Sequence, residues 1–318
     1  MKAKNCLIFG GTGQIGRNLI RKLAKNNYKV TVITRNAHTK GNFIKTQANA
    51  GYIEIIEANP FNEKELKPYF EKTDICINLI GILFEKGKKN SFNNIHSNFP
   101  LMLAKLSHQY KIQQFIHVSA LGIERAVDSQ YAISKLNGEK NVLKYLNRAV
   151  VLRPSIVYSV DDNFSTTFMT LLNRLPVFPL YYNGHTKFTP IHCSDMTDII
   201  LSIISNNINS KIIECVGPEV LSFKDILITL LESIGKKRFL LPFPLSLAKM
   251  MAKIFELMPN PLLTSDQLKL LKYDNVISKN FETNSGIGIP AKKIFKEEVE
   301  KYSYMWREGG QYSKKPNK

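Results

Sequence analysis

Cysteine is scarce in this chain, and its few thiols are far apart. The 318 residues contain four cysteines, at positions 6, 76, 193 and 215, and no two of them form a Cys-x-x-Cys pair. Each lies in an apolar context that is typical of a strand or a strand end. Zinc sites and disulfide frameworks need clustered or regularly spaced ligands. The spacing therefore excludes both and favours buried thiols in a reducing compartment.

Long apolar runs are also lacking. The most apolar stretch, residues 239–258, is interrupted by Lys249, Lys253 and Glu256, so it is too broken to span a bilayer. A strand pattern begins after only Lys2 and Lys4, which leaves no room for a signal peptide. The two absences together predict a cytoplasmic protein.

Arginine is scarce although the chain is strongly basic. Lys and Arg total 44 against 26 Asp and Glu, a formal net charge of +18, yet only nine of the basic residues are Arg. Proteins that read nucleic acid tend to cluster Arg and aromatic side chains on one face, whereas these lysines are spread over the whole chain. We therefore expect no nucleic-acid partner. Biased codon usage is the simplest source of the lysines, and an acidic partner or an anionic membrane surface is the alternative.

The first half of the chain alternates short strand patterns with helical patterns. This order is typical of an α/β protein with a doubly wound parallel sheet, the Rossmann fold. The predicted strands are residues 5–10, 28–34, 52–57, 74–80, 114–119 and 149–153, and the predicted helices are residues 14–26, 92–110 and 131–146.

After about residue 155 the alternation loosens. We predict a nucleotide-binding domain over residues 1–155 and a smaller, mainly helical region over residues 156–318, which forms one wall of a cleft and binds partners. Helices are expected at 164–173, at 194–205 with Ser194 as N-cap, and at 222–234. Short strands near 187–191 and 211–216 are candidates to return to the first domain.

Three glycines at intervals of three lie between the first predicted strand and the first helix, in Gly10-Gly11-Thr12-Gly13-Gln14-Ile15-Gly16. In this position a bare turn lets a pyrophosphate approach the backbone, and the helix N-terminus offers amide donors. The alternative is a glycine turn of purely structural importance. The residues expected to contact a dinucleotide here are Gly10, Thr12, Gly13, Gln14, Ile15 and Gly16.

The end of the second strand predicts which nucleotide binds. The strand ends at Ile33-Thr34-Arg35, where NAD sites usually carry Asp or Glu for the ribose 2′-hydroxyl. Arg35 would instead pair with a 2′-phosphate. We therefore expect NADP(H) in preference to NAD(H), with a solvated arginine as the alternative interpretation.

Tyr131 and Lys135 are four residues apart at the start of a predicted helix. This spacing places the phenol and the ammonium on one helix face. A nearby ammonium favours the phenolate and lowers the pKa of a tyrosine, so Tyr131 is a candidate general acid or base. The pattern is common, and it gains meaning only because a dinucleotide-binding fold precedes it.

Together these motifs resemble the extended, atypical short-chain dehydrogenases/reductases of the epimerase/dehydratase type. The resemblance covers roughly residues 4–235 and includes Asn78-Leu-Ile-Gly81, His117-Val-Ser119 and Leu152-Arg-Pro-Ser-Ile-Val157. It implies that Leu79 and Gly81 line the cofactor ribose. It also implies that Lys135 bonds the nicotinamide ribose and that Pro154 borders the nicotinamide.

The second half is similar to one subgroup of that family. Arg153–Tyr158, Asp161–Phe164, Pro190–Asp195 and Phe239–Pro244 resemble the NAD(P)H-binding accessory subunit of respiratory complex I (NADH:ubiquinone oxidoreductase) and its alphaproteobacterial relatives. The resemblance implies a nucleotide that is mainly structural or regulatory. It also implies complex I subunits or the inner-membrane surface as partners, with a peripheral position on the cytoplasmic face of the inner membrane.

One position departs from the pattern of active family members. They share the substrate carbonyl between the tyrosine and a serine or threonine, and here that position is Ala120, with Ser119 one residue earlier. Successive strand residues face opposite sides. Ser119 is thus the remaining candidate to act with Tyr131 and Lys135, and the departure favours nucleotide binding over turnover. The alternative is an active NADPH-dependent reductase or sugar-nucleotide epimerase/dehydratase that uses Tyr131 as acid or base.

Two further features have competing interpretations. His192, Cys193 and Asp195 look like a metal cluster, but no second ligand pair lies at a suitable spacing, so packing is expected and no metal is predicted. The segment 246–258 has a Met-rich apolar side and reads either as a core helix or as an interfacial helix that meets a membrane or a subunit.

Overall fold

Fourteen strands and eleven α-helices lie in the part of the chain that the computed structural model describes, residues 3–49 and 51–312. Residues 1 and 318, the outer ends of the two predicted domains, lie outside it. The strands are β1 (Asn5–Phe9), β2 (Lys29–Thr34), β3 (Ile53–Glu57), β4 (Ile75–Asn78), β5 (Gln114–Val118), β6 (Val150–Pro154), β7 (Val157–Tyr158), β8 (Val177–Leu180), β9 (Lys187–Phe188), β10 (Ile191–His192), β11 (Lys211–Cys215), β12 (Leu221–Ser222), β13 (Phe239–Pro242) and β14 (Glu282–Thr283). The helices are α1 (Gln14–Lys25), α2 (Ala37–Lys45), α3 (Glu63–Phe70), α4 (Phe99–Gln109), α5 (Gln130–Tyr145), α6 (Ser165–Arg174), α7 (Cys193–Ser205), α8 (Phe223–Ile234), α9 (Leu245–Phe255), α10 (Ser265–Leu270) and α11 (Phe295–Glu300).

Eight of the strands form one parallel sheet in the order β14-β11-β6-β5-β4-β1-β2-β3. The chain runs outward from β1 through β2 to β3 and then returns to the other side of β1 with β4. Ligands of such sheets bind at this reversal, outside the carboxyl ends of the strands. The predicted doubly wound Rossmann fold is confirmed.

Helices cover both faces of the sheet. On one face α1 and α7 pack their apolar residues, such as Leu19 and Ile199, against Ile8 and its neighbours. On the other face α4 and α5 pack against Phe9 and Phe115. Central strands are therefore buried on both sides, which explains why they read as nearly continuous apolar runs.

The C-terminal region adds three two-stranded sheets and most of the remaining helices around a second core. That core is built around Phe178, Phe223, Leu227 and Phe295. Of the two segments that are candidates to return to the first domain, Lys211–Cys215 joins the main sheet beside β6. The strands within 187–191, β9 and β10, pair instead with β12 and β7 outside that sheet.

Four short helices were not predicted, namely α2, α3, α10 and α11, and one cap was predicted at the wrong residue. The short helix α2 is largely polar and has no side-chain cap, whereas α3 carries Pro68 inside it, a residue that normally breaks helices. Helix α7 begins at Cys193, and its N-cap is His192, whose side chain accepts the Ser194 amide. The predicted cap at Ser222 is confirmed.

The helix predicted over residues 92–110 begins with a π-helical turn, Asn93–Asn98, that leads into α4. This turn packs closely against α5, because a Cβ added at Gly138 would lie 1.9 Å from the His96 carbonyl oxygen. The π turn therefore helps to set the position of α5, the helix that carries Tyr131 and Lys135. Within residues 3–49 and 51–312, no helix is long and apolar enough to cross a bilayer.

Candidate functional site

The glycine-rich turn lies at the carboxyl end of β1 and opens the first turn of α1. Gly10 has a φ of +85°, and the Gly13 amide donates to the Gly10 carbonyl at 3.0 Å. A Cβ at Gly16 would lie 2.5 Å from the Gly10 oxygen, so only glycine fits there. No side chain caps α1, and its first turn has no acidic residue. The helix N-terminus thus keeps its amides and its positive dipole end for an anion.

Thr12, Gln14 and Ile15 complete this turn. Gln14 Nε2 donates to Ser159 Oγ at 2.8 Å and to the Val157 carbonyl at 3.3 Å. The Gln14 side chain therefore ties the turn to the segment that follows β6. Thr12 and Ile15 are partly buried, and Ile15 packs against the core under α1.

Arg35 follows β2 at the same edge of the sheet and is exposed. Its Nη1 lies 3.5 Å from Oδ1 of Asn90, in the loop after β4. The carboxylate of Glu57, at the end of β3, accepts the Ala37 amide at 2.8 Å. The Arg35 guanidinium therefore lies just beyond the end of β2, beside the loop that follows β4.

The segment after β4 meets both the glycine-rich turn and α5. The Leu79 amide donates to the Phe9 carbonyl at 2.9 Å, and a Cβ at Gly10 would lie 3.1 Å from the Leu79 backbone. A Cβ at Gly81 would lie 3.1 Å from Lys135 Nζ. The fold therefore places Leu79 against the glycine-rich turn and Gly81 beside the lysine.

Tyr131 lies in the first turn of α5, partly buried against two rings. Its ring centroid is 5.1 Å from that of His96 and 5.8 Å from that of Phe92, both edge-to-face. Burial, followed by the charge of Asp266, raises the pKa of Tyr131 to about 12. The expectation that Lys135 lowers this pKa was wrong, since Lys135 Nζ donates instead to the Val118 carbonyl at 3.2 Å.

Lys135 itself lies in a buried polar layer between α5 and the sheet. Burial lowers its pKa to about 8, and Glu139 one turn later opposes the shift. Burial also lowers the pKa of His117 to about 3, and Asn78 Nδ2 contacts His117 Nδ1 at 3.1 Å. His117 is therefore neutral at physiological pH. Of His117 and Lys135, only Lys135 can carry a charge or move a proton at this pH.

Arg153 and Glu139 form a second buried pair in the same layer. Arg153 Nε and Nη2 donate to the two Glu139 oxygens at 2.9 and 2.5 Å, and Arg153 is 2% exposed. Glu124 also pairs with Arg153, and the Phe281 ring lies 4.3 Å from the guanidinium. In the sequence, Arg153 stands out only as part of the motif Leu152–Val157, and its acidic partners are not evident. The position of Arg153 inside a predicted buried strand is the one sequence signal that it needs an acidic partner.

Ser119 comes directly after the end of β5. It is 4% exposed, and its hydroxyl is buried without a hydrogen-bond partner among the described residues. Its amide donates to the Leu152 carbonyl at 2.7 Å. Pro154 ends the neighbouring strand, where its carbonyl accepts the Leu121 amide at 2.9 Å.

Asp266 is the functional residue that sequence reasoning missed altogether. It lies in α10, yet its carboxylate accepts hydrogen bonds from the Ser129 hydroxyl and the Gln130 and Tyr131 amides, at 2.7 to 3.0 Å. Ser129 is the N-cap of α5. A segment from the far end of the chain therefore fixes the start of the helix that carries Tyr131 and Lys135. Nothing in the local sequence around Asp266 indicates this contact.

His192, Cys193 and Asp195 have structural partners. His192 caps α7, and the Cys193 thiol donates to the Gln14 carbonyl at 3.6 Å. Asp195 accepts the amides of Lys292 and Lys293 at 3.0 and 2.9 Å. Among the residues that the structure describes, no group of three His, Cys, Asp or Glu side chains could hold a metal ion.

This geometry fits a dinucleotide. The glycine cradle that any Cβ would fill accommodates a pyrophosphate, the uncapped α1 N-terminus supplies donors, and Lys135 lies beside Gly81 for a ribose. The family model described as the NAD dependent epimerase/dehydratase family matches residues 6–215. The chain belongs to this family. The match with the epimerase/dehydratase family ends at residue 215. It therefore includes the site residues that the sequence predicted, whereas Asp266 lies beyond it.

The epimerase/dehydratase relatives include subunits of a respiratory complex. The chain is 26% identical over 315 residues to NADH dehydrogenase [ubiquinone] 1 alpha subcomplex subunit 9, mitochondrial, of Arabidopsis thaliana, with 95% of this chain and 78% of that protein covered. It is 24% identical over 188 residues to the ceramide reductase of Caulobacter vibrioides, with 59% and 57% covered. The solved structure of dTDP-glucose 4,6-dehydratase from Bacillus anthracis with NAD superposes with a TM-score of 0.71 at 14% identity, over 96% of each chain. The last of these similarities concerns the fold alone.

Proposed function

We propose that this protein binds NADP(H) and holds it mainly as a structural or regulatory group, as an accessory subunit would. The observation that carries the proposal is the contrast within the site. The glycine cradle is complete, whereas Ala120 stands where the family resemblance places the carbonyl-polarising hydroxyl, and the Ser119 hydroxyl is buried. A site of this kind binds a nucleotide but lacks the second donor that would act beside Tyr131 on the substrate oxygen.

In this proposal each group of the site has one task. Gly10, Gly13 and Gly16 receive the pyrophosphate, and Arg35 selects the 2′-phosphate. Tyr131 and Lys135 hold the nicotinamide ribose, and Pro154 borders the nicotinamide. When bound, the cofactor supplies hydride chemistry at its nicotinamide ring. With its pKa near 12, Tyr131 stays protonated at physiological pH and donates a hydrogen bond.

The proposed partners follow from the Arabidopsis thaliana relative, whose name denotes a subunit of NADH dehydrogenase. We propose that this chain associates with complex I subunits, or with the membrane surface beside them, as a peripheral protein on the cytoplasmic face of the inner membrane. Pull-down of the tagged chain from solubilised membranes, followed by identification of the co-purified subunits, tests this association. Recovery of the chain without any complex I subunit would contradict it.

The decisive test of the nucleotide role begins with mass spectrometry of the nucleotide released from gently purified protein. NADPH consumption is then followed with panels of quinones and carbonyl compounds. We expect bound NADP(H) that stays unoxidised across the panels. Rapid consumption with one acceptor, lost in Tyr131→Phe, would show an enzyme and refute the proposal.

A second function is an NADPH-dependent reductase or a sugar-nucleotide epimerase/dehydratase. The ceramide reductase relative and the retained Tyr131 and Lys135 pair favour it. Tyr131 would then pass a proton to or from the substrate oxygen, and a bound nicotinamide cofactor would supply the hydride chemistry. The two functions differ in turnover. An enzyme would consume NADPH and lose this activity in the Tyr131→Phe variant, whereas an accessory subunit would bind the nucleotide without consuming it.

A further inference from the structure

Helix α9 buries its smallest side chains and exposes its largest ones. Ala248 and Ala252 are 0% exposed and pack with Tyr181 and Leu268. The opposite side of α9 and the turn after it carries large aliphatic residues that are between 45% and 86% exposed. We call these residues the outer stripe; they are Leu247, Met250, Ile254, Leu257 and Met258. An ordinary surface helix does the reverse and turns such residues toward the core.

The outer stripe is continuous along the helix. Leu247, Met250, Ile254 and Leu257 follow one another at intervals of three or four residues, and Met258 is four residues after Ile254, which places all five on one side of the helix. The turn continues past α9, since the amides of Leu257 and Met258 donate to the carbonyls of Ile254 and Phe255. The sequence left two interpretations of this segment open, a core helix or an interfacial helix. Because the residues of the outer stripe are exposed, they do not belong to the core. Contiguous exposed apolar residues of this kind mark an interaction surface.

The charges beside the stripe are positive. Lys249 and Lys253 are exposed on the same helix, and Lys237 is exposed just before β13. The one acidic residue of segment 245–258 is Glu256, and its Oε1 accepts the Ser265 amide at 2.6 Å. The face is therefore apolar with a cationic border, which is the pattern of helices that lie in the interface of an anionic bilayer.

The same features disfavour other occupants. A second copy of this chain, which carries a net charge of +18, would bring Lys249 and Lys253 against their own counterparts across a twofold axis. The residues of the outer stripe are Leu, Met and Ile, without the Tyr, Trp and Arg that dominate protein–protein hot spots. An anionic lipid surface fits both observations, because it offers acyl chains to the stripe and phosphates to the lysines.

We propose that α9 docks the protein on an anionic bilayer surface. The outer stripe enters the boundary between headgroups and acyl chains, and Lys249 and Lys253 contact the phosphates. The proposal deepens the peripheral location given under the proposed function and names its surface. Membrane docking through α9 does not depend on nucleotide binding, so the docking proposal and the proposed nucleotide role can fail separately.

The test is co-sedimentation of the full chain with phosphatidylcholine vesicles that do or do not contain phosphatidylglycerol. We expect binding to the anionic vesicles that weakens as salt is raised. Ile254→Glu should weaken it at least about tenfold, because the stripe loses an apolar side chain and gains a charge. Lys249→Gln and Lys253→Gln should each cost about fivefold, which corresponds to about 1 kcal/mol per lysine.

The matched control is Val220→Glu, which places the same charge at a residue that is 61% exposed and lies outside α9. It should bind vesicles like the wild type, and all variants should keep the wild-type nucleotide affinity and melting temperature. Wild-type protein that ignores anionic vesicles, or an Ile254→Glu variant that binds them normally, overturns the proposal. A wild-type dimer that Ile254→Glu converts to a monomer would assign the stripe to a second copy instead. If Ile254→Glu fails to fold, the two lysine variants decide.

Discussion

The carboxylate of Asp266 accepts the backbone amide of Tyr131 at 3.0 Å, although 135 residues separate them in the chain. The same carboxylate accepts the Gln130 amide and the Ser129 hydroxyl, so it binds the whole N-terminus of α5. A negative charge at this end of a helix also interacts favourably with the helix dipole. The C-terminal region thus holds the helix of the candidate site from outside the Rossmann domain.

Replacement of Asp266 by Asn should loosen that helix. We expect the free energy of unfolding to fall by about 1–2 kcal/mol, since a charged cap and up to three hydrogen bonds are weakened. The affinity for NADPH should fall as well. Thermal denaturation and titration with NADPH measure the two effects.

Asp128→Asn is the matched control, because Asp128 is exposed in the loop before α5 and pairs with Lys272 only at 3.8 Å. An exposed pair of this kind contributes little to stability. If both variants melt at the same temperature, the role given to Asp266 is wrong.

Arg35→Asp tests the choice of nucleotide. The variant should bind NADPH about tenfold to 150-fold more weakly, which corresponds to about 1.5–3 kcal/mol for a charged hydrogen bond. It should bind NADH as the wild type does. Arg21→Asp, on the outer side of α1, gives the same change of charge and should leave both affinities unchanged. Equal losses for NADPH and NADH in Arg35→Asp would refute the assignment; calorimetric titration supplies the numbers.

Gly16→Ala tests the glycine cradle. The added Cβ would lie 2.5 Å from both the Gly10 oxygen and the Gly11 Cα, so the turn must open. We expect a loss of about 1–3 kcal/mol in stability, typical of overpacking, and loss of nucleotide binding. Gly286→Ala is the control, since the nearest atom to its Cβ would be 3.4 Å away. Retained binding in Gly16→Ala would remove the turn from the nucleotide site.

Lys135 should make stability depend on pH. Its pKa near 8 in the folded chain lies below the ordinary value, so the folded state holds fewer protons than the unfolded state between about pH 8 and pH 10.5. The free energy of unfolding therefore rises with pH in that window. Below about pH 8 Lys135 is charged in both states, so the full cost of burying its charge lowers the stability of the folded chain. Lys135→Met should be more stable than the wild type by about 1–3 kcal/mol at pH 7.

The advantage of Lys135→Met should shrink as the pH is raised above 8. Urea denaturation of both proteins at several pH values gives the difference. Lys144→Met, at an exposed position of the same helix, should show no such trend. A difference that stays constant with pH would mean that Lys135 keeps its ordinary pKa.

Much of the Rossmann domain could be predicted from the sequence because its signals are local. The strand patterns differ from the observed β1 to β6 by one or two residues at their ends, and the capped helix at Ser222 is confirmed. The short helices α2 and α3 were missed because one lacks an apolar stripe and the other contains Pro68. Periodicity and cap residues predict a helix from its own residues alone. They do not predict a short helix that is stabilised mainly by tertiary packing.

The sequence by itself determined the alternating strands and helices, the glycine turn from Gly10 to Gly16 and the spacing of Tyr131 and Lys135. Each depends on residues within one turn, one strand or one helix. Only the tertiary structure decided that Asp266 caps α5, that Arg153 pairs with Glu139 beneath it, and that α9 turns its large side chains outward. The physical reason is that these features depend on which elements become neighbours, and the order of strands and the packing of distant helices leave no periodic trace in the chain.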